Sequence, residues 1–162
     1  MAVTTDILLT YKGPRQVLAR LLSAGPREDR LVALAMGSCV IMFIAQLPRL
    51  ARIAHMTDQD LNALMGGSLL ALVFVLPLIL YSLAFVFHLI ARALGGKGHG
   101  FQSRVALFWA MMAASPLMLL NGLVAGFIGD GPALSAVGGL WFGAVLWFLG
   151  TGLHEAYWRR QQ

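Results

Sequence analysis

The stretch Gly-Gly-Lys-Gly-His-Gly at 95–100 holds residue types that can cradle phosphate: glycines that let backbone amides approach, and a lysine. That chemistry needs Gly, four residues, then Gly-Lys and a Ser or Thr, so that the hydroxyl can meet magnesium. Here Gly98 follows Lys97, no strand precedes the loop, and no acidic partner for magnesium is in view. The dinucleotide fingerprint fails too, because Gly96, Gly98 and Gly100 alternate by two. Gly95, Gly96, Lys97 and Phe101 are therefore expected to form a turn between membrane helices, with Phe101 as an interfacial contact.

His154-Glu155 begins like the helical zinc motif His-Glu-x-x-His, but Trp158 stands where the second histidine belongs. Glu155 is better placed to pair with Arg159, four residues along the same helix face. His88 lies inside an apolar run, where an ionisable group is a functional candidate by default. It is close to the end of that run, one turn from Arg92, and a structural role at the interface is favoured. Asn121 can be satisfied between helices and reads as packing glue. No apolar run carries Asp, Glu, Lys or Arg near its middle, which weighs against proton-coupled transport. Cys39, the lone cysteine, allows no intramolecular disulfide and reads as a small buried side chain. No cofactor, metal or catalytic set is expected, and the chain is not expected to be an enzyme.

Hydrophobic residues are 59% of the 162 and charged residues only 12%, about half the share of a soluble domain. Four long runs without Asp, Glu, Lys or Arg predict an all-α, polytopic membrane protein, with spans at about 31–48, 64–91, 105–128 and 132–153. Leucine and phenylalanine all round each run exclude the two-residue alternation of barrel strands. Pro77 predicts a kink in the second span, and Thr57 or Asp58 is placed to cap its start. The apolar cluster Ile7-Leu8-Leu9 is too short for a signal-peptide core, so the first long run is expected to stay as an uncleaved span.

The basic residues set the orientation. Lys12, Arg15, Arg20, Arg27, Arg30, Arg92, Lys97, Arg104, Arg159 and Arg160 fall on one side of four spans, against Arg49 and Arg52 on the other. Both termini and the glycine loop are thereby expected in the cytoplasm. This clustering is an orientation signal rather than a continuous basic face, so nucleic acid is not an expected partner. Within the basic segment 1–30, residues 14–23 place Val17, Leu18, Leu21 and Leu22 on one helical side, behind Pro14. Such a helix could lie on anionic lipid of the inner leaflet or pack under its own bundle; both readings stay open. Residues 49–65 are amphipathic as well, and 154–162 form a short cytoplasmic tail.

Gly122 and Gly126 form one Gly-x-x-x-Gly pair, and Gly139 and Gly143 a second. The spacing stacks each pair on one face and lets backbones approach. The two pairs are expected to pack against each other across a short hairpin, with dimerisation through the same faces as the alternative. Trp109, Tyr157 and Trp158 are expected as belt anchors at the cytoplasmic interface.

Gly95-Gly96, the polar turn, Phe101 and the helix running to Ser115-Pro116 resemble the Yip-domain family in its bacterial branch. The segment Trp-Phe-Leu-Gly-Thr-Gly-Leu-His-Glu-Ala-Tyr at 147–157 is similar to that family's Trp-rich span. The resemblance covers roughly residues 61–157 and implies an integral membrane protein without catalytic residues. Eukaryotic relatives act in vesicle traffic with small prenylated GTPases; bacterial members offer no role to transfer. Five spans are usual in the family and four are expected here, and its Asp-Leu-Tyr-Gly-Pro motif is matched only by Tyr11-Lys12-Gly13-Pro14. The GTPase interaction is therefore not carried over. The expected function is non-enzymatic, in the bacterial inner membrane, by helix packing with itself or a membrane complex in contact with anionic lipid. The alternative is a small oligomeric transporter or pore lined by the proline-interrupted spans two and three.

Overall fold

A computed structural model describes residues 3–25 and 27–159, the last for its backbone alone. Every regular element among them is helical. The chain-terminal residues 160–162 lie outside the described residues, as does the side chain of Arg159, and with them Arg160 and the expected Glu155–Arg159 pair.

Two short helices come first, α1 (Val3–Lys12) and α2 (Pro14–Ser23), joined by Gly13 with Pro14 at the first helical position. Proline suits that position because its missing N–H would be unpaired there anyway. Then α3 (Glu28–Thr57) runs for 30 residues, opening on Glu28 and Asp29, whose carboxylates suit the positive end of a helix dipole. It passes through Pro48 and stops at Asp58, which takes the left-handed conformation at φ 52°. The helix thus runs on past the expected span 31–48 and carries Arg49 and Arg52 on the same backbone.

Asp60, rather than Thr57 or Asp58, caps the next helix, α4 (Leu61–Leu69), by accepting the Asn62 N–H at 3.1 Å. From there one apolar helix of 33 residues reaches Ala93. Its middle, Leu70–Val75, is wound as a wider π-helix before α5 (Leu76–Ala93). Pro77 has no N–H to give and its ring crowds the carbonyl four residues back, so the irregular turn falls ahead of the proline.

The third expected span is α6 (Gly100–Ala113) and α7 (Ser115–Phe127), bent by 44° at their junction. Finally α8 (Pro132–His154) continues as a π turn through Glu155–Arg159. By length and composition, three helices can cross a membrane, and a fourth if the bent pair counts as one.

The centre of the molecule is α6. All residues from Val105 to Ser115 are buried, enclosed by α3, α5, α8 and the α1–α2 hairpin. Hydropathy alone gave α6 the look of a lipid-facing span. Trp109 is therefore no belt anchor: it is 1% exposed, and its indole N–H donates to Thr10 Oγ1 at 3.1 Å. Tyr157 is likewise buried, whereas Trp158 is exposed. Of the two readings of α2, the structure shows the inward one, with Val17, Leu18 and Leu22 buried against α6 and α8.

The glycine pairs do not meet each other. A Cβ on Gly122 would lie 1.7 Å from the Ala45 carbonyl oxygen, and one on Gly126 would lie 2.4 Å from Pro48 Cβ. This pair packs α7 on α3. Among the described residues, and their own helix backbone aside, nothing lies within 4 Å of the Cβ positions of Gly139 and Gly143. The α7–α8 contact is made instead by Asn121, whose amide lies over Gly138 and donates to the Leu134 carbonyl at 3.4 Å. At the turn after α7, the Arg52 guanidinium donates to the Gly126 and Phe127 carbonyls at 3.1 and 3.3 Å. It thereby satisfies the negative end of that helix.

Candidate functional site

Two polar joints tie the helices together, one at the break between α6 and α7 and one at the glycine loop. The first seats the α1–α2 hairpin on the break in the third span. Pro116 lacks the N–H that would bond Met112, and the Leu117 N–H turns to Ala114 at 3.1 Å. The Ala113 carbonyl is left to accept the Tyr11 hydroxyl at 3.0 Å. In an apolar surrounding a carbonyl without a partner is costly, so Tyr11 makes the break tolerable. Partial burial pushes the Tyr11 phenol above its ordinary pKa. The hairpin is held by an Asp6–Arg20 ion pair and by Tyr11 set edge-on to Phe148 at 5.3 Å. Tyr11→Phe is expected to cost about 1 kcal/mol, seen as a lower melting temperature of the purified protein. An unchanged melting temperature would mean that water satisfies the carbonyl.

The second joint is the glycine loop itself. Gly95 turns the chain at φ 87°, a conformation that costs glycine nothing. The N–H groups of Gly95, Gly96 and Lys97 go to the carbonyls of Arg92, Ala91 and Tyr157 at 3.0, 2.9 and 3.3 Å. That of His99 goes to Gln102 Oε1 at 3.0 Å. These amides are spent on the protein, and none of the four is left to cradle a phosphate.

What the glycines do is admit a ring. Cβ atoms on Gly96 or Gly98 would lie 2.8 Å from Tyr157 Cδ1, so only glycine lets the loop close over that side chain. The Tyr157 hydroxyl donates to the His99 carbonyl at 3.3 Å and bonds His88 Nδ1. His88 Nε2 lies on the ring edge facing Gly100. Ser103 completes the joint by donating to the Ala84 carbonyl at 2.9 Å, tying α6 to α5.

The structure thus brings His88, Gly96 and the loop together around Tyr157, while Lys97 projects outward and is exposed. Phe101 is half-buried, with the Arg104 guanidinium 6.0 Å from its ring. Asn121, Gly122 and Gly126 belong to the other half of the bundle. Sequence reasoning missed Tyr157, taken for an interfacial anchor, and Tyr11, noticed only as part of a motif. A signal existed for the first. Three small residues alternating by two leave room for something large, and the aromatic nearest the end of α8 is Tyr157. Among the described residues no group of three or more His, Cys, Asp or Glu could hold a metal ion.

An all-helical fold with three or four apolar helices of spanning length defines a polytopic membrane protein. Comparison with known families matches residues 10–160 to the Yip1 domain. The chain belongs to the Yip1 domain family, in agreement with the resemblance carried by Gly95-Gly96 and the Ser115-Pro116 step. No match was found among curated proteins or among solved structures.

Proposed function

We propose that this Yip1-domain protein is a non-enzymatic component of the bacterial inner membrane, with both termini and the glycine loop in the cytoplasm. It acts by packing its helices against a second copy or a membrane partner complex. The observation that carries the reading is the open face of α8. Of two glycine pairs with the same spacing, one is used inside the fold and the other, Gly139 and Gly143, meets nothing. Close backbone approach is what such a face offers a partner helix. The internal engagement of His88 with Tyr157 supports the non-enzymatic part.

A solute path between spans two and three finds less support. The irregular segment Leu70–Val75 has no buried residue, and α6 fills the centre with side chains.

The test is disulfide crosslinking in native membranes, with Gly143→Cys in a Cys39→Ser background. A crosslinked dimer or a heterologous adduct is expected, and Gly139→Leu should abolish it. Monomers alone in mild detergent, together with no adduct in membranes, would end this reading. Orientation is checked separately with a membrane-impermeant maleimide on intact cells. Asp130→Cys is expected to label and Lys97→Cys to stay protected.

A further inference from the structure

A cleft of about 390 Å³ opens between α5 and α6, lined by Tyr81, Phe85, His88, Gly100 and Arg104. It borders the second polar joint through His88, and it is graded along the helix axis. At the loop end stand Arg104, the Nε2 side of His88, and Arg92 one turn beyond. Deeper in are Phe85 and Tyr81, with Leu89 and Leu78 exposed on the same row of α5. From Tyr81 to Arg92 the row is about 16 Å long, at 1.5 Å per residue. Its polar end and apolar length follow the order of a phospholipid, from head group to chain.

Three features make the cleft a fitted space. Gly100 contributes no side chain to the mouth: a Cβ there would only touch the His88 ring at 3.7 Å, so the opening is not filled by anything else. Tyr81 is fixed as a wall by its edge-on contact with Phe108, at 4.8 Å between centroids. The Arg104 guanidinium bends back toward the loop end, where Nε donates weakly to the Gly100 carbonyl at 3.4 Å. Its two terminal nitrogens also pair with Glu28, at 2.8 and 2.9 Å, yet that carboxylate is 56% exposed and water-screened. Arg104 and Arg92 outnumber Glu28 at the mouth, so the local charge favours an anion.

We propose that this cleft binds one anionic phospholipid, its phosphate on Arg104, a head-group hydroxyl bonded to His88 Nε2, and an acyl chain along Phe85. The site requires only that the protein sit in a bilayer. It is independent of orientation and of self-association through α8.

The experiment uses the full chain in nanodiscs holding equal fractions of dioleoyl phosphatidylglycerol and dioleoyl phosphatidylcholine. Lipid retained on release is read by native mass spectrometry. Retention of phosphatidylglycerol roughly tenfold above phosphatidylcholine is expected, on the order of one charge-assisted contact. Arg104→Gln should remove the preference by deleting the phosphate partner. Gly100→Leu should remove it by filling the cleft with every charge left in place. Arg49→Gln, at the other end of the molecule, should not change it. If Arg104→Gln fails to fold for want of the Glu28 pair, Gly100→Leu decides. No preference in the unaltered protein, or a preference that survives in Gly100→Leu, overturns the proposal. Release of the lipid by millimolar inorganic phosphate would show a free-phosphate site and overturn the lipid assignment.

Discussion

Gly122→Ala is expected to destabilise this protein by about 3 kcal/mol, while Gly139→Ala and Gly143→Ala leave its monomer unharmed or slightly firmer. All three are the same change, on glycines of two pairs with identical spacing. The difference lies in what the new methyl meets. At Gly122 it would fall 1.7 Å from the Ala45 carbonyl oxygen and 2.7 Å from its carbon, which are backbone and cannot swing aside. To accommodate it, α7 must move off α3 by more than an ångström, and Gly126 would be lifted from Pro48 by the same displacement. The Arg52 bonds to the end of α7 depend on that seat as well. At Gly139 and Gly143 the methyl enters open space, and alanine's better helix propensity is worth about 0.5–1 kcal/mol. Thermal unfolding of the monomer in detergent separates the cases. Equal losses at all three glycines would mean that both pairs are internal seams, contrary to the described packing.

How much of this was legible in the sequence depends on what each signal measures. Hydropathy reports exclusion from water, and it located the apolar helices well. It does not say whether lipid or protein does the excluding, so α6 and α5 looked alike although one is enclosed and the other faces outward. The breaks at Pro77 and Ser115-Pro116 were legible because proline removes a donor wherever it stands. The partner that compensates the second break was not, since Tyr11 and Ala113 are far apart in the chain and nothing local links them. Charge marked Arg49 as the end of a span, and a sequence window could not show that the helix runs on or that Arg52 turns to carbonyls of another helix. The inward packing of α2 was undecidable from its own residues: an amphipathic face fits a lipid surface and a helix groove equally well. The glycine pairs taught the same lesson, with spacing showing that a close approach was possible and leaving open to which helix.

The glycine loop yields the second large effect. Tyr157→Ala is expected to cost about 3–5 kcal/mol, the range for removing a large buried ring. His88 Nδ1 and the His99 carbonyl lose a partner in the same step. Tyr157→Phe separates the contributions, because it keeps the ring under Gly96 and Gly98 and deletes only the hydroxyl, for about 1–2 kcal/mol. A functional readout of the loop accompanies the stability. Trypsin added to detergent-purified protein should cut after Lys97 in Tyr157→Ala much faster than in Tyr157→Phe, since the ring rather than the hydroxyl holds the loop down. Gly98→Ala closes the argument as a double-mutant cycle. In the unaltered protein its methyl meets Tyr157 Cδ1 at 2.8 Å and Gln102 Oε1 at 2.6 Å, and of these only the amide tip of Gln102 moves readily. The substitution is therefore expected to release the loop by itself. In a Tyr157→Ala background the obstructing ring is gone, and the same methyl should cost little or even fill part of the cavity. Strong coupling between positions 98 and 157 would identify the repeated glycines as a seat for one aromatic side chain. Additive losses would return them to the role of an ordinary flexible turn.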